Sequence, residues 1–181
     1  ILELESLLTM LDWVDALSTF DKDGDYSVFA PLLQQQGMTD TDAKQLSQAS
    51  FYERINNASQ ARQKIGTVFN KIQKIETPIV DLFKPQLVSN IISFQKPPGS
   101  EFSEQNRGLN EQHLAKEYLH RRDYLRAVVF AMEGMITAKT IQANKNVNDY
   151  DDRESQRHHL KNDEKFRTLT IIRNAVVHGK Q

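Results

Sequence analysis

The sequence predicts an all-α protein, and three observations favour that fold class. Apolar residues recur at intervals of three and four along almost every periodic segment, which is the spacing of one helix face. No two segments alternate polar and apolar residues as paired strands do, and no internal repeat stands out. A chain of 181 residues is also long enough for one well-buried core. We therefore expect a single helical domain over residues 1–181.

The N-terminal part is expected to hold three helices. The first carries one apolar stripe, typical of an amphipathic helix, with Trp13 beside it; the stripe consists of Leu4, Leu7, Leu8, Leu11, Val14 and Leu17. The polar segment DKDGD ends this helix, and the short helix VFAPLLQQQ follows before Gly37. One long helix is then predicted from about Thr41 to Glu76, because its apolar spacing continues and Pro78 is the next proline.

Beyond Pro78 the pattern stays helical to Phe94, with a kink expected at Pro85, and QKPPGSEF is predicted to be an exposed connection. The most apolar helical stretch is EYLHRRDYLRAVVFAMEGMITAKTIQA, interrupted by a brief turn at residues 121–123. A polar loop is expected over residues 144–152.

The last helix is predicted to begin near Arg153 or Asn162 and to end at His178. Gly179 stands where a helix C-terminus favours glycine.

Composition limits the kinds of function. The chain has 23 basic and 24 acidic side chains, so it lacks the global positive field that coats nucleic acid, and any such site must be local. It has no cysteine, which excludes disulfides and thiolate chemistry and favours a reducing compartment. No apolar run is long enough to span a bilayer. We expect a soluble, cytoplasmic protein and, since the sequence starts at Ile1, a piece of a longer one.

Two possible metal sites fail on spacing. DKDGD resembles the start of a calcium loop, but the sixth and twelfth positions, which need glycine and glutamate, hold Tyr26 and Leu32. The histidines at 113 and 120 share a helix face and those at 158 and 159 are adjacent, yet no third ligand stands at zinc-site spacing. We expect neither a metal nor a cofactor.

The segment IIRNAVVHGK raises the main functional question. Arg173 projects into the apolar arc of the last helix, which consists of Phe166, Leu169, Ile172, Val176 and Val177. One interpretation is a structural ion pair with Glu133, the one acid among the apolar residues of the preceding helix. The other is a functional site. Asn174 lies one turn before His178 and can orient it, and an arginine with a histidine suits phosphate chemistry.

A second pair has the same spacing. Arg153 and His158 lie in the charged segment RESQRHHL, without apolar partners. We interpret that pair as part of a solvated helix face.

The hexapeptide RNAVVH, at the end of a helix that follows RRDYLRAVVFAMEGMI, resembles the HEPN ribonuclease superfamily. The leading segment LDWVDALSTFDKDGDYSVFAPLL is further similar to the HEPN region of CRISPR-associated accessory proteins that join a nucleotide-sensing CARF domain to a HEPN ribonuclease. The resemblance implies a HEPN-like bundle with additional N-terminal helices. Residues 110–181 would form its core, and 1–37 a helical connection from a sensor domain that this sequence lacks.

The resemblance also implies a function in antiviral defence. HEPN enzymes cut single-stranded RNA without a metal, at a composite site where two copies meet. By that resemblance Arg173 would stabilise phosphate, Asn174 would orient the histidine, His178 would transfer protons, and the terminal helix would form a homodimer. Basic side chains at Arg121, Arg122 and Arg126 would guide the RNA. Cyclic oligoadenylate would activate the nuclease through the missing domain.

Two alternatives stay open at this point. One is a HEPN-like module that binds a partner or a nucleotide and cleaves nothing. The other is a helical dimerisation domain in which Arg173 pairs with Glu133 and His178 caps the helix.

Overall fold

The structure, a computed structural model, describes residues 4–92 and 104–179. Every regular element within those ranges is helical, which confirms the predicted all-α fold class. The chain divides into two compact units, Ile1–Gln95 and Lys96–Gln181. The predicted domain boundaries at residues 37 and 110 stay a prediction, and the predicted connection QKPPGSEF lies outside the described residues.

The first unit is built around aromatic side chains. Its described elements are α1 (Leu4–Asp23), a 3₁₀ turn (Tyr26–Phe29), α2 (Ala30–Gln35), α3 (Asp40–Arg54), α4 (Ala58–Gln73) and α5 (Pro78–Ile92). The indole of Trp13 stacks on Phe83 with ring centroids 5.4 Å apart, and it lies 5.9 Å from the ring of Phe29. Residues from the first 37 positions, Trp13 and Phe29, therefore contribute to the core of this unit.

Helix α1 packs against the core through a different face from the one that its apolar stripe predicts. The residues it buries are Trp13, Ala16 and Phe20. The stripe that contains Leu8 and Leu11 is exposed instead. Because the aromatic side chains of Trp13 and Phe20 bury the largest apolar areas on this helix, they determine which face packs inward.

The predicted long helix over residues 41–76 is wrong. The chain breaks between α3 and α4, where Asn56 adopts a left-handed φ of 60° and the Asn57 side chain accepts a hydrogen bond from the Gln60 amide. Asparagine tolerates the left-handed region and caps helices well. The two helices can then fold back on each other and bury Leu46, Ile65 and Ile72.

The second unit contains α6 (Glu104–His120), α7 (Tyr124–Gln142), α8 (Tyr150–Leu160) and α9 (Glu164–His178). The predicted turn at residues 121–123 is confirmed, with Arg122 at a φ of 62°. The predicted loop over 144–152 is shorter, because Asp149 caps a separate helix by accepting a hydrogen bond from the Asp152 amide.

Helices α6 and α7 approach closely where both carry glycine. A Cβ added at Gly134 would lie 3.4 Å from the carbonyl oxygen of Gly108 and 3.1 Å from a side-chain carbon of Gln112. Further along, the rings of Tyr118 and Phe130 stack at 5.4 Å. This close packing leaves the opposite side of α7 available to α8 and α9.

A compact apolar cluster joins α7, α8 and α9. Its buried members are Val128, Met132, Ile136, Leu160 and Phe166.

Among the described helices, none is long and apolar enough to cross a membrane.

Candidate active site on the terminal helix

Both ends of α9 are defined by local interactions. The Asp163 side chain accepts a hydrogen bond of 3.0 Å from the Phe166 amide and caps the N-terminus. At the other end Gly179 adopts the left-handed conformation, with φ 60°, so the predicted helix stop is confirmed. His178 is consequently the last helical residue, and its imidazole is exposed.

The apolar arc of α9 is buried at one end of the helix and exposed at the other. Phe166 packs in the cluster with Val128 and Met132 and is only 3% exposed. Toward the C-terminus, Ile172, Val176 and Val177 are 40%, 45% and 54% exposed. Arg173 projects into this uncovered part of the arc. The arginine therefore borders an apolar surface that its own chain does not cover.

Arg173 is hydrogen-bonded to the next residue. Its Nη2 and Nε atoms lie 3.0 Å and 3.3 Å from the Asn174 side-chain oxygen. No described acidic side chain forms an ion pair with Arg173, and the His178 imidazole accepts or donates no hydrogen bond among the described residues. The amide that was expected to orient the histidine instead contacts the guanidinium in this state.

The alternative interpretation, an ion pair between Arg173 and Glu133, does not hold in the structure. Glu133 accepts a hydrogen bond from Nη2 of Arg153 and another, of 3.0 Å, from Nη2 of Arg157. Both arginines belong to α8, one turn apart, so they present two guanidinium groups to the same side of that helix. Two arginines thus bind both oxygens of the Glu133 carboxylate. Arg173 on α9 does not pair with this carboxylate.

The interpretation of Arg153 as solvated is also wrong. Its side chain is 12% exposed, and it donates a hydrogen bond of 2.9 Å to the buried Thr137 hydroxyl as well as pairing with Glu133. His158, five residues further along, is exposed, and its Nδ1 atom lies 3.2 Å from the Lys161 ammonium. These two residues do not form a common site.

Arg153 is part of a wider buried network. The Thr137 hydroxyl donates a hydrogen bond of 2.6 Å to Glu111, and Glu111 accepts a further bond of 2.8 Å from Arg107. Arg107 also donates to the backbone oxygen of Val147 at 2.7 Å. Charged groups buried this deeply are held in place by their partners, so this network fixes α6, α7 and α8 and is not free to act on a substrate.

A groove runs beside the exposed part of α9. It has a volume of about 440 Å³ and an almost wholly apolar lining. Leu119 and Tyr124, exposed by 57% and 53%, form its α6 and α7 side, and Ile172 and Val176 form its α9 side. A single copy of the chain therefore presents a continuous apolar surface next to Arg173.

The arginines expected to guide RNA have different surroundings. The Arg126 guanidinium lies 4.4 Å from the centre of the Tyr118 ring and binds Asp123. Burial acts to lower the pKa of Arg126, but Tyr118 and Asp123 together raise it above its usual value. Arg121 is 5.8 Å from the same ring and 3.8 Å from Glu117. Arg122 is exposed.

In the described part of the chain, no three histidine or acidic side chains are grouped as ligands. The four histidines considered as ligands are all exposed: His113, His120, His158 and His159.

No family model, no curated protein and no solved structure matches this chain. The function must therefore be inferred from the geometry of the site and from the chemistry of its residues.

Sequence reasoning missed the two arginines that hold Glu133 and the groove beside α9. The first could have been found, because Arg153 and Arg157 are four residues apart and thus share a helix face. The groove could not, because its walls come from three helices that the sequence does not place side by side.

Proposed function

We propose that this protein is a metal-independent endoribonuclease of the HEPN type that cuts single-stranded RNA. The reaction would take place at a composite site formed by two copies of α9. Arg173, Asn174 and His178 are its assigned residues. The observation that supports this proposal is an arginine and a histidine at the exposed end of one helix, where Arg173 has no acidic partner among the described residues.

The chemistry needs only these groups and the RNA. The ribose 2′-oxygen attacks the adjacent phosphorus while the 2′-hydroxyl proton is taken up, and the bond from phosphorus to the 5′-oxygen breaks. The departing 5′-oxygen receives a proton. A histidine can carry both proton transfers, and an arginine can neutralise the charge that builds on the phosphoryl oxygens. The products are a 2′,3′-cyclic phosphate and a 5′-hydroxyl, and DNA is not cut because it lacks the nucleophile.

In this proposal two copies of the chain form the site, and the exposed apolar surface of α9 is where they would meet. Ile172, Val176 and Val177 are exposed beside Arg173, next to the groove of about 440 Å³. A contiguous apolar surface of this kind marks an interaction site in a folded protein. A homodimer formed through α9 buries this surface and brings a second Arg173 and His178 close to the first pair.

The hydrogen bond between Arg173 and Asn174 fits a resting state. Asn174 neutralises none of the arginine charge, so the guanidinium can exchange this contact for a phosphate oxygen. Once the arginine turns to the RNA, the Asn174 amide is free to contact His178 one turn further along the helix. Arg122 is exposed and can contact the RNA backbone, whereas Arg121 and Arg126 contribute positive charge near Tyr118.

The remaining part of the proposal concerns control and cellular role. By its resemblance to CARF-linked HEPN proteins, this chain would be the effector region of a CRISPR-associated antiviral ribonuclease in the cytoplasm. Cyclic oligoadenylate would bind a sensor domain outside this sequence and switch the nuclease on.

The test is cleavage of end-labelled single-stranded RNA in excess chelator, with the product ends identified. Wild-type protein should release fragments with a 2′,3′-cyclic phosphate, and its specific activity should fall on dilution as dimers dissociate. DNA of the same sequence should stay intact. If neither this chain nor the longer protein with activator cuts RNA, the helical binding module replaces the nuclease as the explanation.

A further inference from the structure

Helix α1 has two apolar faces on opposite sides. Trp13, Ala16 and Phe20 are buried in the core of the first unit. The other face, which we call the leucine stripe, is exposed along its whole length. Its members are Leu4, Leu7, Leu8, Leu11 and Val14, which are 71%, 42%, 53%, 61% and 50% exposed.

The spacing of the leucine stripe is that of a helix-docking seam. Leu4, Leu7, Leu11 and Val14 alternate intervals of three and four, the pattern by which one helix packs along another. Leu8 widens the seam. Folded proteins rarely leave so regular an apolar surface uncovered unless something binds it.

A groove next to the leucine stripe can receive a large side chain. It lies between α1 and α5, with a volume of about 390 Å³. Its lining includes Met10 on α1, which is 38% exposed, and Leu82 on α5, which is 62% exposed, together with Ile79. A helix lying on the stripe can therefore anchor one apolar side chain here.

The negative charge around the leucine stripe favours a positively charged partner. Every charged residue between Leu4 and Asp21 is acidic, namely Glu5, Asp12, Asp15 and Asp21. On a helical projection, Asp12 lies at one edge of the stripe and Asp21 at the other, and Asp15 projects within its arc one turn after Leu11. None of the four forms an ion pair with a described residue.

This acidic border disfavours two of the possible occupants. A second copy of α1 would place like charges along the same seam, which destabilises the pairing. An anionic membrane surface would be repelled, because amphipathic helices that bind it carry lysine and arginine on the polar face. A basic partner gains attraction on both edges.

We propose that the leucine stripe docks a basic amphipathic helix of another protein. The apolar face of that helix packs on Leu8 and Leu11, and its lysine or arginine side chains pair with Asp12, Asp15 and Asp21. This surface lies in the first unit and is independent of the proposed ribonuclease site on α9.

The test uses a fluorescent helical peptide of leucine and lysine, about five turns long, with all leucines on one face. A matched peptide carries glutamate in place of each lysine. Fluorescence anisotropy with the full chain should show saturable binding of the lysine peptide, at least about tenfold tighter than the glutamate peptide. Leu8→Ser combined with Leu11→Ser should weaken binding at least about tenfold, because it removes the central apolar contacts.

Two further variants distinguish electrostatic attraction from nonspecific hydrophobic binding. Asp12→Asn combined with Asp15→Asn should weaken binding about threefold at low salt and reduce its salt dependence. Leu109→Ser, at a position on α6 that is 63% exposed, should leave the affinity unchanged. Circular dichroism checks that each variant is folded.

Several outcomes would overturn the proposal. Equal affinity for the two peptides would show that charge does not select the partner. Unchanged affinity in the Leu8→Ser, Leu11→Ser variant would show that the leucine stripe is not the binding surface. If sedimentation shows that those two substitutions convert a self-associated species to a smaller one while the lysine peptide does not bind, a second copy is the occupant. Binding of α1 to anionic vesicles in preference to the peptide would point to a membrane.

Discussion

The chain contains two segments in which arginine and histidine are five residues apart, and their tertiary surroundings are opposite. In α8, Arg153 is 12% exposed and bound to Glu133 and Thr137. In α9, Arg173 binds only the neighbouring Asn174 among the described residues. An arginine already paired with a carboxylate is not available to a phosphate, whereas one held by a neutral amide is.

Spacing alone therefore does not define such a site. Arg153 faces α7, where Glu133 and the Thr137 hydroxyl are placed to receive it. Arg173 lies near the end of α9, where Ile172 and Val176 are only partly covered by their own chain. The first segment therefore stabilises the fold, and the second is the candidate for chemistry.

The largest effect is expected at His178, and none is expected at His158. His178→Ala should reduce cleavage of single-stranded RNA about a thousandfold, because the proton transfers lose their carrier. His158→Ala is the matched control, since it removes an exposed imidazole at the same spacing from its arginine. Initial rates on labelled RNA in chelator measure both. Equal losses in the two variants would break the distinction between the segments.

The arginines should separate stability from activity. Arg153→Met should lower the free energy of unfolding by about 2 kcal/mol, because Glu133 loses one of its two partners in a poorly hydrated position. Arg173→Met should change it by less than about 0.5 kcal/mol, as at other sites without such partners, while it reduces cleavage about a hundredfold. Urea unfolding followed by circular dichroism gives the stabilities. A larger stability loss at Arg173 would reverse the assignment.

The exposed end of α9 should behave as an interface. Val177→Glu should raise the protein concentration needed for half-maximal specific activity at least about tenfold, because it places a charge in the apolar surface between the two copies. Tyr150→Glu, on α8 and at a position 75% exposed, serves as the control. Sedimentation across a dilution series follows the association directly. A Val177→Glu protein that still sediments and cleaves like the wild type would exclude this interface.

The smallest effect concerns acid stability at α8. Asp152 accepts a hydrogen bond from the Asn146 amide and pairs with Lys145, and these contacts lower its pKa from the ordinary value of 3.8. A carboxyl with a lowered pKa stabilises the fold above its unfolded pKa, and that stability is lost as the pH falls through the folded value.

Asp152→Asn should therefore show a slightly shallower fall of the melting temperature than the wild type as the pH is lowered from about 5 to about 2. Asp151→Asn, which alters an exposed neighbour, should follow the wild-type curve. RNA cleavage at neutral pH should be the same in all three proteins, since this carboxylate belongs to the α8 segment. Parallel melting curves for Asp152→Asn and wild type would show that the contact does not stabilise α8.

Much of the helical structure could be predicted because the signals are local. The spacing of apolar residues predicts helices throughout, and Gly179 ends α9 as expected. The turn at residues 121–123 was also predictable. The break at Asn56 was missed because the apolar spacing continues on both sides of it, and only the left-handed backbone at that residue separates α3 from α4.

The candidate site was only partly predictable. The residue types and their order on α9 come from the sequence, as does the position of Arg173 within an apolar arc. The partner of Glu133 could not be decided from the sequence, because a carboxylate on α7 can face either of two later helices and periodicity does not distinguish them. The exposure of Val176 and Val177 was also not predictable, because it depends on how far α7 and α9 pack along each other.

Local signals were enough to predict that this protein is helical, where α9 stops, and that an arginine, an asparagine and a histidine share its last turns. Those properties follow from backbone preferences and from side chains a few residues apart. Packing between helices was needed to establish which face of α1 is buried, which arginines hold Glu133, and which apolar side chains are exposed. Each of these depends on packing between distant segments, where burial area and charge pairing compete among several possible partners.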